Sequence, residues 1–341
     1  MKEANVVRQA SRILADRLPA GWKQRIVPAK GQTASDTALE ITAPDRAKTR
    51  LVVEVKTSLF PRDVDAIKNR VAGNRDGASL IVARFLTSST RRRLRDNNLN
   101  FIDLTGNLRL VSTRPGLYVE MSGAEEDPEP TPGPNRSLRG PKAGRVVRAL
   151  CDFPVPLPIS DLAGKAGVDV SYASRLVEWL AREALLNRAP RGSVLQVDRP
   201  QLIRRWSEDY NVFKSNDARS FLDPRGLTNL VRSLNQVRFR YAVTGSLAAN
   251  RIAPIAPAHL AVVYVDDPDA AAAALKLRPA EAGMNVMLLT PFDSVVFERT
   301  WIDEQITYVA PSQAAADLLT GPGRAPSEAE AILEKLDRAP A

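Results

Sequence analysis

Two groups of side chains in the 341-residue chain have the types and spacing to do chemistry. In the first, Ser171, Ser174, Arg175 and Arg182 recur at helical spacing with Tyr172 beside them. They are short and polar at the N-terminal end and cationic further along. That face suits a helix inserted end-first into the major groove of DNA, where hydroxyl and guanidinium groups meet base edges. Arg188 and Arg191 follow closely and can reach phosphates. In the second group, Glu54 and Lys56 lie two apart, so on a strand they share a face, and an antiparallel neighbour can bring Asp36 beside Glu54. Two carboxylates gathered in this way can hold Mg²⁺, and with a lysine beside them help a water attack a phosphodiester.

The first group needs a particular set of elements, and the sequence supplies them in order. Ser160 can cap a short helix over residues 161–166, which Gly167 ends in the left-handed conformation. After a tight turn, Ser171 can cap a second helix whose Ala173, Leu176, Val177, Leu180 and Ala184 form one apolar stripe. Residues 187–191 and 193–197 read as an extended pair bent at Arg191-Gly192. With a first helix over 143–151 and a connecting helix over 200–210, residues 143–210 make a winged helix-turn-helix, and the chain is expected to bind double-stranded DNA. A helical domain whose arginines are merely solvated is the plain alternative.

Residues 1–122 read as a separate α/β domain. A first helix carries Val6, Val7, Ala10, Ile13, Leu14 and Leu18, and strands over 37–42 and 51–57 are joined by Pro44-Asp45-Arg46 into a hairpin. A helix over 63–71, a buried strand over 80–85, a basic helix opened by Ser89, and strands either side of Gly106-Asn107 follow. The motif and the element order resemble the PD-(D/E)XK nuclease-like superfamily. The resemblance implies a restriction-endonuclease-like fold in which Asp36 and Glu54 are metal ligands, Lys56 orients the nucleophile, and Glu3 supplies an acid from the first helix. Ser35 stands where that family has proline. The alternatives are a hairpin with exposed charges, or a degenerate nuclease fold kept as a platform for binding or dimerisation.

Residues 123–142, rich in proline and glycine, are a linker. From 211 to 320 a third α/β domain places Gly245-Ser246 between a strand and a helix. This resembles the nucleotidyltransferase fold, in which a Gly-Ser turn binds triphosphate and the next strand carries Asp-x-Asp. Here that strand offers His259, Ala261 and Val263, with Asp266-Asp267 only at its far end, so the resemblance implies a degenerate, inactive module. Residues 321–341 are a tail with a short helix around 329–336.

The winged helix, the run TGSLAANRIAP and the run YVAPSQAAADLLTGPGR together resemble the winged-helix antitoxins of type IV abortive-infection systems. That resemblance covers the C-terminal two-thirds and implies a transcriptional repressor, of the kind that has a cognate toxin as partner; the domain ahead of it leaves a solitary regulator also open. Composition agrees with a polyanionic partner: 48 Lys+Arg against 39 Asp+Glu give +9. One cysteine, Cys151, and one histidine, His259, exclude a disulfide framework, a zinc site of the usual ligands and Cys-His nucleophilic catalysis. No apolar run spans a bilayer, so the expected setting is the cytoplasm, on the nucleoid. The expected function is a non-enzymatic, sequence-dependent DNA-binding regulator without a cofactor, as a homodimer on paired half-sites. The alternatives are a Mg²⁺-dependent endonuclease targeted by the winged helix, and a nucleoid-associated architectural binder.

Overall fold

In the computed structural model the chain is mixed α/β, and residues 3–29, 37–72, 78–129, 137–190 and 192–338 are described. It divides into two compact units, Met1–Pro134 with Arg182–Ala184, and Asn135–Ala181 with Leu185–Ala341. Among the described residues no helix is long and apolar enough to cross a membrane.

The first unit is built from α1 (Glu3–Ala15), β1 (Lys23–Pro28), β2 (Thr37–Thr42), β3 (Lys48–Lys56), α2 (Val64–Ala72), β4 (Ala78–Ala83), α3 (Ser88–Asp96), β5 (Asn100–Asp103), β6 (Leu108–Thr113) and β7 (Gly116–Met121). Its seven strands lie side by side in chain order. The hairpin of β2 and β3 is antiparallel, with Ala38 opposite Val52, whereas β3, β4 and β5 run parallel. Burial on both faces explains the apolar run of β4: Leu80 and Val82 join the core under α1, and Ile81 and Ala83 the core under α2 and α3. Two details depart from expectation. The basic helix α3 is capped by Thr87, whose hydroxyl accepts from the Thr90 N–H, rather than opened by Ser89. β1 was not expected, because its sequence KQRIVP shows little buried surface along an edge strand.

The second unit begins with α4 (Pro141–Asp152), α5 (Ile159–Ala166) and α6 (Val170–Arg182), followed by the short hairpin β8 (Leu186–Arg188) and β9 (Val194–Val197), then α7 (Arg199–Ser207). Gly167 does adopt the left-handed conformation, at φ 59°, and closes α5. Neither expected serine cap forms. α5 starts at Ile159 after Pro158, whose fixed φ of −60° and extended ψ already shape the entry; Ser160 lies inside the first turn and donates to Asp161 instead. α6 likewise starts two residues early, with the Asp169 carbonyl accepting from Ala173 N–H at 3.0 Å, so Ser171 belongs to its first turn. Ala173, Val177 and Leu180 are buried along one stripe, with Leu176 packed at its margin. Ala184 falls beyond the helix, at φ 59°, and the Leu185 N–H turns back to the Leu180 carbonyl. Leu157 bridges to Val194 through two backbone hydrogen bonds, adding a third extended segment beside the hairpin.

The same unit continues with α8 (Val212–Ser215), β10 (Asp217–Leu222), α9 (Leu227–Leu234), β11 (Tyr241–Thr244), α10 (Gly245–Ile252), β12 (Ala261–Val265), α11 (Pro268–Leu275), β13 (Arg278–Pro279), β14 (Val286–Thr290), β15 (Trp301–Asp303), β16 (Ile306–Tyr308), α12 (Pro311–Leu319) and α13 (Ala325–Arg338). Its strands are ordered β13-β10-β14-β12-β11-β16-β15. α13 occupies much of the stretch expected to be a tail, and it buries Ala325, Ala329, Ile332 and Leu333. One apolar core runs without a break from α4 through this sheet to α13.

Polar contacts reinforce that continuity at α4. Arg145 holds Asp293 through two hydrogen bonds of 2.9 and 3.0 Å. Arg148 is fully buried and reaches Asp152 at 3.1 Å, Gln313 at 2.8 Å and the Glu298 carbonyl at 3.1 Å. A guanidinium removed from water persists only when its donors are satisfied, and here the partners come from α4 itself and from the distant α12.

Candidate nucleic-acid interface

Because Ala173, Val177 and Leu180 point inward, the opposite side of α6 must face solvent. Ser171 and Arg175 are exposed there, one helical turn apart, and Ser174 is partly buried beside them. The Arg175 side chain forms no ion pair or hydrogen bond with any described residue. Its five donors therefore remain available to a planar acceptor such as a guanine edge or a phosphate. Tyr172 is half-buried at the margin of the stripe, and burial raises its phenol above the ordinary value against a smaller opposing effect of Arg175. The hydroxyl therefore stays protonated and able to donate near neutral pH.

Further along, Glu178 is exposed on the same face, one turn beyond Arg175. Arg182, the last residue of α6, is grouped with the first unit. Arg188 closes β8, half-buried and paired with Val194 through its backbone, and its side chain forms no ion pair or hydrogen bond with a described residue, while Asn187 and Gln196 join across the hairpin at 3.1 Å. Arg191 lies outside the described residues.

Three residues at this surface escaped sequence reasoning. Val170 opens α6 and is 54% exposed, a position from which a β-branched side chain can meet a thymine methyl. The mistaken cap at Ser171 hid it. Lys165, near the end of α5, is exposed with its ammonium 4.0 Å from the centre of the Phe153 ring, and Lys142 at the start of α4 is exposed near Asp169. Their only signal was net charge.

In the first unit Glu54 and Lys56 do share a face of β3, but they neutralise one another. The Lys56 ammonium lies 2.7 Å from the Glu54 carboxylate, which also pairs with Arg70 of α2 at 2.5 Å. Asp36 lies outside the described residues, and Glu3 is exposed at the start of α1. Among the described residues no group of three His, Cys, Asp or Glu side chains could hold a metal ion. Among the described residues Glu54 is thus matched by two cations, whereas the acids of a divalent-cation cradle need negative charge to spare.

The Gly245-Ser246 turn opens α10, with Gly245 at φ 66°. The Ser246 hydroxyl donates to Glu328 of α13 at 2.6 Å, so a buried carboxylate sits at this turn. The Ser246 hydroxyl is thereby engaged by a carboxylate of its own chain. Asp266 pairs with Arg240, and Asp267 caps α11 through the N–H groups of Asp269 and Ala270. Both acids are thus held in structural roles.

No family model matches the sequence, and no curated protein matches it. Among solved structures the chain shows a likeness to EndoMS in its apo form, at 16% identity over 30% of this chain and 46% of that one, with a TM-score of 0.20. The chain thus spans less than half the length of that protein.

Proposed function

We propose that the chain is a sequence-dependent binder of double-stranded DNA that regulates transcription without catalysing a reaction. The observation that carries this reading is the solvent face of α6, where the Arg175 side chain has no hydrogen-bond or ion-pair partner among the described residues, beside Ser171. In this reading residues 143–210 are a winged helix-turn-helix: α5 crosses the backbone, the first two turns of α6 enter the major groove, and the β8–β9 hairpin is a wing whose Arg188 meets phosphate. The formal charge of +9 supplies long-range attraction. Its resemblance to winged-helix antitoxins adds repression of an operon as the regulatory setting, with a homodimer on paired half-sites. The first unit then serves as a platform, since Glu54 is committed to Lys56 and Arg70.

Selection of bound sequences from a random duplex pool tests this. Enrichment of a defined motif a few base pairs long is expected. Binding with no enrichment contradicts sequence dependence and favours an architectural role on the nucleoid.

A further inference from the structure

A cavity of about 190 Å³ lies in the second unit, between α8, the N-terminal end of α10, β12 and the junction of α12 and α13. Its walls are mainly apolar: Val212, Phe213, Leu260, Val262, Leu318 and Ala325. An apolar cavity of about 150 Å³ is enough to admit benzene, so this one has room for a larger ring system.

The charged side chains at its wall already have hydrogen-bond partners. Arg324 bonds to Glu328 at 3.1 Å and also reaches the Pro257 carbonyl, while Glu328 in turn accepts from Ser246. Asp317 is buried and accepts from Tyr210 at 2.7 Å, Thr244 at 2.6 Å, Gln313 at 2.8 Å and Tyr264 at 3.1 Å. His259 stands at the exposed rim. The Asp317 oxygens are taken up by these neutral donors, and an ionic guest would have to shed its water against an apolar wall.

The same Asp317 starts a chain of hydrogen bonds that leaves the cavity. Gln313 donates to Asp317 through Nε2 and accepts from Arg148 through Oε1 at 2.8 Å, and Arg148 belongs to α4. α4 packs directly on α5, the helix that precedes α6. A guest that moves Thr244 or Asp317 therefore acts on side chains fixed in register with the proposed DNA-binding helices.

We propose that this cavity binds a small, uncharged, ring-sized organic ligand, and that the Asp317–Gln313–Arg148 chain transmits its occupancy to α4 and so adjusts DNA affinity. The second half rests on the DNA-binding reading; the first half does not.

The probes are indole as the uncharged ring, with indole-3-acetate and tryptamine as its anionic and cationic counterparts. Thermal denaturation and calorimetry of the full chain should show saturable binding of indole and none of the two ions. Val262→Phe, which fills the cavity, should abolish it, and Leu260→Trp at the partly exposed wall repeats the test where Val262→Phe does not fold. Absence of indole binding, equal binding of an ion, or binding that survives both fillings overturns the site. Indole should then shift the affinity for a selected duplex about five-fold or more in the wild type and not in Gln313→Met, although that variant still binds indole. An unchanged affinity in the wild type, or an equal shift in Gln313→Met, overturns the coupling. If no duplex binds even without indole, the DNA-binding reading has failed and the calorimetric result still judges the site.

Discussion

Replacing Arg148 with methionine should destabilise the second unit by about 3 kcal/mol. The guanidinium is fully buried and serves Asp152, Gln313 and the carbonyls of Glu298 and Val295. Not all of these are stranded by its loss. Asp152 retains Arg299 at 2.8 Å and the Ser312 hydroxyl, and the Val295 carbonyl still accepts from the Glu298 N–H. The Gln313 Oε1 and the Glu298 carbonyl lose their donor, at about 1–3 kcal/mol each, while methionine refills part of the volume with apolar atoms. The total therefore falls near the lower end of the range for breaking a buried ion pair, about 3–5 kcal/mol. Urea titration followed by tryptophan fluorescence measures it, since Trp206 lies in the same core. Because α4 and the sheet share that core, the wild-type unit should unfold in one transition, and the variant should show a lower midpoint. A loss below about 1 kcal/mol refutes the reasoning, for it would mean that the buried bonds do not hold α4 to α12.

Other predictions concern separate parts of the chain. Lys48, with Arg25 and Arg50, holds the Glu40 carboxyl down to about 2 from an ordinary 4.5, so its contribution is present above pH 4.5 and fades as pH falls towards 2. Glu40→Gln should flatten the acid limb of the first unit's urea midpoint across that window, and an unchanged limb counts against the cluster. Gly167→Ala forces a Cβ onto φ 59° without a clash, Arg145 being 3.5 Å away, so strain alone should cost about 1–2 kcal/mol in thermal denaturation. Supercoiled plasmid incubated with the chain and Mg²⁺ or Mn²⁺ should stay intact; cleavage abolished by both Asp36→Ala and Glu54→Ala would replace the regulator with an endonuclease.

What could be read from the sequence was what depends on local period. The α6 stripe, the antiparallel β2–β3 hairpin, the left-handed Gly167 and the Gly-Ser turn all follow from neighbouring residues, although the hairpin strands are buried in runs, Ala38 to Ile41 and Leu51 to Val53, and not with the period of two their sequence suggests. Helix starts were less legible, because cap preference favours Ser160 and Ser171 while the proline geometry at Pro158 and the backbone of Asp169 start the helices earlier. The polar interior was hidden altogether. Arg148 looks like one more surface cation in RVVRALCD, and Asp317 like a solvated acid in AAADLL; only the fold brings partners to them from elements remote in sequence. Glu54 illustrates the same limit at the candidate metal site, since Arg70, which pairs with it, comes from the next helix.

The central claim is that Arg175 touches a base edge, and comparing two single substitutions tests it most directly. Fluorescence anisotropy at fixed salt should show Arg175→Ala losing about 1–3 kcal/mol on a selected duplex and much less on a random one, while Arg188→Ala, at a phosphate, weakens both alike. Equal losses on the two duplexes for Arg175→Ala, or none on either, would contradict the account.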